Sequence, residues 1–210
     1  MESAVYLFHN SPVMSSFIDF LHSIDKAVLL FINGNNSPFI DQVMMTISGR
    51  FTWIPLYLLF GILLCRKYGK KCWVFILFAI LAIVLSDQVA NLIKNEVMRF
   101  RPSHAPSIMN LLHYYKNSFG ESYMGGQYGF VSNHAANSSA LAIYLILLFR
   151  NRFVTLGLIT WVLLLCYSRI YLGVHYPSDT LGGIVVGIAC GLIAYKGSMF
   201  LQKRISGKSS

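Results

Sequence analysis

Apolar residues in this chain fall into long continuous runs separated by short polar links. Five runs approach the roughly 20 apolar residues that a helix needs to cross a bilayer. They cover residues 51–65, 73–93, 135–149, 154–171 and 180–201. The pattern predicts an all-α integral membrane protein in which five transmembrane helices form one bundle.

The first 50 residues follow a different pattern. Residues 17–31 are apolar but are interrupted by four polar or charged residues, and residues 38–48 form a second short helical pattern. The four interruptions are Asp19, His22, Asp25 and Lys26. Such segments are typical of amphipathic helices at a membrane surface, so we expect two short surface helices near the N-terminus. A sixth transmembrane helix near residues 24–32 is the alternative.

Composition agrees with a membrane protein. Of the 210 residues, 55% are hydrophobic and only 12% are charged, about half the charged share of a soluble domain, and the mean hydropathy is +0.56. No linker divides the chain, so we predict one domain over residues 1–210, with surface helices in 1–50 and the bundle in 51–201. We predict no cleaved signal peptide, because the N-terminus lacks a basic stretch before a continuous apolar core.

Charge indicates how the bundle is oriented. The net charge is +9, and the basic residues stand at the ends of apolar runs, which favours lipid headgroups over nucleic acid as partners. They occupy alternate links: Arg66, Lys67, Lys70, Lys71, Arg150, Arg152, Lys196, Lys203, Arg204 and Lys208. Basic links face the cytoplasm, so we expect the links at 94–133 and 168–179 to face outwards.

Those two outward links contain three polar clusters. Lys94 precedes Arg101 and Pro102 by a six-residue gap; Ser132, Asn133 and His134 stand before the third run; Ser168 and Arg169 precede His175 and Asp179. Each cluster alone has an ordinary explanation, as membrane-interface anchors, helix caps or a first-turn acid. Together, three cations, two histidines, a hydroxyl and a carboxylate on one face indicate a functional site.

The composition of this predicted site favours phosphate over a metal ion. Three cations repel a metal but suit phosphate oxygens, which accept charge-assisted hydrogen bonds. A neutral histidine is a nucleophile when a carboxylate holds its second nitrogen, and Asp179 can turn back to His175. We expect no metal and no cofactor. The four cysteines, Cys65, Cys72, Cys166 and Cys190, lack zinc-ligand spacing and fit helix packing.

The three clusters resemble the signature of the type 2 phosphatidic acid phosphatase family, which shares its site with bacterial acid phosphatases and vanadium haloperoxidases. The family pattern is K-x6-RP, PSGH and SR-x5-H-x3-D. The first and third motifs match at every fixed position, over residues 94–102 and 168–179. The second reads VSNH, with Val131 in place of proline and Asn133 in place of glycine.

The resemblance implies a role for each matched residue. His175 would attack phosphorus to form a phosphohistidine, Asp179 would orient it, and His134 would protonate the leaving oxygen and then activate water. The implied phosphate-binding residues are Lys94, Arg101, Ser132, Asn133 and Arg169. His104, close to Arg101 in the sequence, is a further candidate substrate contact.

The sequence predicts an enzyme that hydrolyses a lipid phosphate or diphosphate at the outer face of a bacterial inner membrane. No obligate protein partner is implied. Undecaprenyl diphosphate is the leading substrate, with lipid A phosphate and phosphatidylglycerol phosphate as alternatives. A vanadate haloperoxidase and a non-catalytic lipid transporter are alternatives from other classes.

Two further features have open interpretations. Asp87, Asn91 and Lys94 share one face of the second run, where an intramembrane acid indicates either a functional residue or a partner for a neighbouring helix. The link at 103–130 is rich in glycine and tyrosine. It is interpreted either as a cover over the site or as an ordinary surface loop.

Overall fold

A computed structural model of the protein describes residues 12–49 and 51–206, with the side chains of residues 12–15, 17 and 18 left out. Residues 1–11, on which the signal-peptide prediction rests, and Lys208 lie outside the described residues. The helices are α1 (Pro12–Gly34), α2 (Pro38–Ser48), α3 (Ile54–Tyr68), α4 (Cys72–Val97), α5 (Asn133–Phe149), α6 (Arg152–Tyr171) and α7 (Pro177–Ser206). The described residues form no strand beyond two isolated bridges, so the all-α prediction is confirmed.

The five predicted apolar runs correspond to helices α3 to α7. By length and composition, three helical stretches among the described residues could cross a membrane: Ile54–Val97, Arg152–Tyr171 and Pro177–Ser206. The first of these contains both α3 and α4, and α5 is a shorter apolar helix. Gly69, at a φ of 56°, stands between α3 and α4. The Tyr68 and Phe75 rings stack across this turn, with centroids 3.8 Å apart.

Helices α5 and α7 form the closest pair in the bundle. Gly183, Gly187 and Gly191 make the contact, and a Cβ at Gly187 would stand 2.3 Å from the carbonyl oxygen of Ala136. Small residues let two helices approach to backbone contact. Helix packing therefore accounts for the glycines along this face of α7.

The basic links gather at one end of the bundle. Lys67 of α3 donates a hydrogen bond to the carbonyl of Leu148, near the end of α5, at 2.6 Å. Lys71 donates to Ser206, near the end of α7, at 2.8 Å. Three links that are far apart in the sequence thus share one face, as their charge pattern predicts.

Helices α1 and α2 pack against the opposite end of the bundle. Helix α1 is 23 residues long, which extends past the predicted 17–31 at both ends. Asn33, in its last turn, is buried and donates hydrogen bonds to the carbonyls of His113 at 2.9 Å and Tyr171 at 2.8 Å. On α2, Asp41 accepts a hydrogen bond from the Tyr171 hydroxyl at 2.6 Å. Both helices therefore brace the end that carries the three polar clusters.

Candidate active site

The three polar clusters meet at one cavity of about 560 Å³. Lys94 comes from the last turn of α4, and Arg101 from the link that follows it. Asn133 and His134 open α5, Arg169 lies in the last turn of α6, and His175 stands between α6 and α7. All six side chains line the cavity. Residues separated by up to 81 positions in the sequence therefore line one cavity.

The histidine–aspartate pair lies at the base of this cavity. His175 is 1% exposed, and its Nδ1 stands 3.3 Å from Oδ2 of Asp179. The same carboxylate oxygen accepts a hydrogen bond from the backbone N–H of Tyr176 at 3.0 Å. The first turn of α7 thus fixes Asp179 against the imidazole, one helical turn away in sequence.

Arg99 is a site residue that the sequence analysis did not single out. Its guanidinium donates to Oδ1 of Asp179 at 2.8 Å and to Oδ2 of Asp25 on α1 at 2.7 Å. It also donates to Ser178 at 2.6 Å and lies over the Tyr176 ring. The family signature does not specify the six residues between Lys94 and Arg101, and Arg99 is one of them. Only its charge could have identified it as a site residue.

The site is strongly cationic. Burial and the neighbouring Arg169 lower the pKa of Arg101 to about 10. Burial, together with Arg101, Arg169 and Lys94, holds the pKa of His175 well below its usual value of 6.5. His175 is therefore neutral at physiological pH, the form in which an imidazole nitrogen can act as a nucleophile.

Two polar atoms of the site are buried without a hydrogen-bond partner among the described residues: Oγ of Ser132 and Nε of Arg169. Ser132 occupies the N-cap position of α5, yet its side chain caps no backbone N–H. Arg169 also donates from Nη1 to Ser48 of α2 and, at 2.9 Å, to the hydroxyl of Tyr123. Buried donors without partners are rare. Arg169 lines the cavity, where an anion would satisfy its Nε, whereas Ser132 lies behind the lining residues.

Asn133, which stands where the family signature has glycine, joins α4 to α5. Its carboxamide oxygen accepts a hydrogen bond from Lys94. Its nitrogen donates to Asp87 and to Asn91, both at 2.8 Å. Asp87 is thus a partner for a neighbouring helix and, at the same time, part of the cavity wall.

The link at 103–130 folds onto the site. Tyr123 contacts Arg169, and a Cβ at Gly125 would stand 2.9 Å from Nη1 of Arg101. A Cβ at Gly129 would stand 2.9 Å from Oδ2 of Asp179. The glycines of this link therefore allow its backbone to approach the charged side chains. His104 lies outside the set of cavity-lining residues, with its Nδ1 3.2 Å from the Ser103 hydroxyl.

The fold and the cavity together define a class of protein: helical membrane proteins with a cationic site, suited to a phosphate group, at one end of the bundle. The profile of the PAP2 superfamily matches residues 73–203, and the chain belongs to this superfamily. It is accordingly a multi-pass membrane enzyme that hydrolyses phosphate esters of lipids.

Two individual relatives are similar to this chain over most of its length, and a third over about a third of it. The chain is 38% identical over 180 residues to lipid A 4'-phosphatase of Bacteroides thetaiotaomicron, covering 85% of this chain and 78% of that protein. It is 34% identical to lipid A 4'-phosphatase of Porphyromonas gingivalis, covering 91% and 80%. Undecaprenyl-diphosphatase BcrC of Bacillus subtilis is 42% identical over only 73 residues, which cover 35% of this chain and 37% of that protein.

Two crystal structures share the fold. LpxE of Aquifex aeolicus superposes with a TM-score of 0.60 at 22% identity, covering 81% of this chain and 93% of that chain. The first transmembrane PAP2-type phosphatidylglycerolphosphate phosphatase from Bacillus subtilis superposes with a TM-score of 0.63 at 24% identity, covering 97% and 98%. The bundle architecture is therefore the one that these two structures have.

Proposed function

We propose that this protein removes a phosphate from lipid A, at the outer face of a bacterial inner membrane, through a phosphohistidine intermediate and without a metal. The observation that carries the choice of substrate is the similarity to two lipid A 4'-phosphatases along at least 85% of the chain. Undecaprenyl diphosphate, the leading substrate from sequence alone, becomes the second candidate, because the similarity to BcrC covers only 35% of the chain.

In the proposed first step, Nε2 of His175 attacks phosphorus while the bond from phosphorus to the lipid oxygen breaks. Asp179 holds the proton on Nδ1, which leaves the lone pair of Nε2 free, and stabilises the charge that develops on the ring. His134 gives its proton to the departing lipid alkoxide. The products are a phosphohistidine and a lipid alcohol.

In the second step, water attacks the phosphohistidine and His134 takes its proton. Phosphate leaves, and His175 returns to its neutral form. Lys94, Arg101 and Arg169 hold the phosphate oxygens as charge moves between them, together with the Ser132 hydroxyl and the backbone N–H of Asn133. Donors fixed by the fold need little reorganisation during reaction, which is how such groups stabilise a transition state.

Phosphate release from a panel of purified lipids tests this proposal. The panel contains lipid A with a 4'-phosphate, lipid A with a 1-phosphate, undecaprenyl diphosphate and phosphatidylglycerol phosphate. Each assay contains excess chelator, with His175→Ala as the blank. We expect the 4'-phosphate to be released fastest. Faster release from undecaprenyl diphosphate would favour the second candidate, and activity that requires an added divalent ion would contradict the metal-free mechanism.

A further inference from the structure

The cavity extends beyond the phosphate site along α4. Lys94, Asn91, Asp87 and Ile83 all line it, and they succeed one another at intervals of three or four residues. At that spacing they lie along one face of the helix. The wall therefore changes in order from a cation, through an amide and a carboxylate, to hydrocarbon.

The polar middle of this wall is a group of side chains from α4 and α5 that we name the amide cluster: Asp87, Asn91, Asn133 and Asn137. Asn137 donates to Asp87 at 3.0 Å, and Asn91 donates to the other oxygen of Asp87, also at 3.0 Å. Among the described residues, the amide nitrogens of Asn91 and Asn137 each donate one hydrogen bond. A second N–H of each is therefore available to a ligand.

An apolar groove of about 820 Å³ adjoins the cavity, between α3, α4 and α5. Tyr57, Ile83 and Leu141 line both spaces, so the two adjoin at these residues. Beyond those three residues, the groove is lined mainly by aliphatic side chains of α3 and α4. Gly61 lines it too, and a Cβ there would meet nothing within 4 Å. The groove has the apolar lining that a hydrocarbon chain needs.

This order of surfaces discriminates between lipid phosphates. In a polyprenyl phosphate the phosphate is bonded directly to the hydrocarbon, which would place apolar carbon against Asp87 and the amides. Hydrocarbon there would leave the second N–H of Asn91 and of Asn137 buried without a hydrogen-bond partner, which is unfavourable. A lipid whose phosphate is carried on a sugar would instead place hydroxyl and amide groups there.

We propose that the amide cluster is the subsite for the sugar ring that carries the phosphate, and that the apolar groove holds an acyl chain of the same lipid. This inference rests on the proposed phosphatase function and narrows it to phosphoglycolipids. The sugar donates hydroxyl hydrogen bonds to Asp87 and accepts from the free N–H groups of Asn91 and Asn137.

The experiment compares two phosphomonoesters in mixed micelles: lipid A monophosphorylated at the 4' position, and undecaprenyl phosphate. Asn137→Leu keeps the side-chain size and removes the amide. We expect it to lower the ratio of kcat/KM for the glycolipid to kcat/KM for undecaprenyl phosphate by about tenfold, the effect of one or two hydrogen bonds. Asn35→Leu is the control, since Asn35, just after α1, is exposed and its side chain donates only to the carbonyl of Phe31 among the described residues.

A second variant tests the groove. Gly61→Leu adds bulk to the groove, and we expect it to lower kcat/KM severalfold for a long-chain acylated glucosamine phosphate relative to its short-chain analogue. Gly157→Leu on α6 is the matched control. A Cβ at Gly157 also meets nothing within 4 Å, and Gly157 lines a different surface groove.

The outcomes separate this inference from the function beneath it. If the wild-type protein releases phosphate from neither lipid, the proposed function fails. If the wild type hydrolyses both lipids and Asn137→Leu lowers both kcat/KM values in parallel, or leaves both unchanged, the sugar subsite is overturned while the phosphatase stands. Ratios are used because a loss of folded protein cancels from them.

Discussion

The two cavity histidines have different proposed tasks, and each variant should show its own defect. His175→Ala should abolish turnover of every phosphate ester, because no other group forms the bond to phosphorus. His134→Ala should slow lipid hydrolysis by about 10²-fold or more, since an alkoxide needs the proton. An activated aryl phosphate should lose less, because its leaving group needs less help.

Acid quenching during turnover of a labelled aryl phosphate distinguishes these tasks. We expect phosphohistidine to accumulate in the His134 variant, whose second step lacks a base, and none in the His175 variant. Labelled phosphoenzyme that survives in His175→Ala and vanishes in His134→Ala would exchange the two roles.

Arg99 is a positioning residue in this mechanism, because it contacts Asp179 rather than the cavity. Arg99→Lys replaces the two guanidinium nitrogens, which donate to Asp179 and Asp25 separately, with one ammonium, so Asp179 should lose its fixed orientation. We expect kcat to fall about 10-fold to 100-fold with little change in KM. We expect kcat to fall further in Arg99→Ala. It should fall less in Asp25→Asn, which removes only the partner of Arg99 on α1.

Steady-state kinetics with an aryl phosphate, together with a thermal midpoint for each variant, provide the measurement. A rise in KM with kcat unchanged would place Arg99 in substrate binding instead. If kcat falls equally in Arg99→Lys and Arg99→Ala, and in proportion to the loss of folded protein, Arg99 has only a structural role.

The pKa of His175 makes a prediction about stability. Folded His175 stays neutral below pH 6.5, whereas the unfolded chain takes up a proton there. The neutral form of His175 therefore adds no pH dependence to the free energy of unfolding above pH 6.5. Below pH 6.5 the free energy of unfolding decreases by up to about 1.4 kcal/mol per pH unit. In detergent and phosphate-free buffer, the thermal midpoint of the wild type should fall more between pH 7.5 and 5.5 than that of His175→Asn. Parallel curves would contradict the depressed pKa.

At the scale of elements, the contact between α5 and α7 tolerates no added atoms. In Gly187→Ala the new methyl would meet the Ala136 carbonyl oxygen at 2.3 Å and Cβ of Ser139 at 2.8 Å. Both groups belong to a packed helix, so we expect destabilisation of about 1–3 kcal/mol and a loss of activity. Gly157→Ala, in open space, should keep or slightly raise the thermal midpoint. A Gly187→Ala protein as stable as the wild type would show that α7 can shift away.

The sequence predicted the apolar helices well because a bilayer demands a long apolar run from each of them. It also predicted that Lys94, Arg101, His134, Arg169 and His175 share one face, since the alternation of spans brings alternate links together. Which residues then touch was predictable only where a known motif sets the spacing.

The rest of the site depends on how the elements pack against one another, which the periodicity of the sequence does not predict. Asp25 looked like an interruption in an amphipathic segment, and its partner Arg99 lies 74 positions away. Asn133 looked like a departure from a glycine motif, yet it connects Lys94 to Asp87. The first contact joins α1 to the link that follows α4, and the second joins α4 to α5. The hydrophobic pattern alone predicts neither.

At the scale of the whole molecule, the gathered basic links predict orientation. With Lys67 and Lys71 at the end opposite the cavity, the positive-inside rule places that end in the cytoplasm and the cavity outside. Alkaline phosphatase fused after Ser210 should therefore be inactive in a bacterium, whereas a fusion within 116–120 should be active. The reverse result would put the cavity on the cytoplasmic face.

The docking of α7 on α5 through glycine also bears on the protein's biosynthesis. Asp179 and the glycines belong to α7, which is synthesised after the helices that carry His134 and Lys94. A nascent chain that ends before α7 holds the phosphate-binding cations but lacks the carboxylate that orients His175. We therefore expect activity to appear only once α7 has docked on α5.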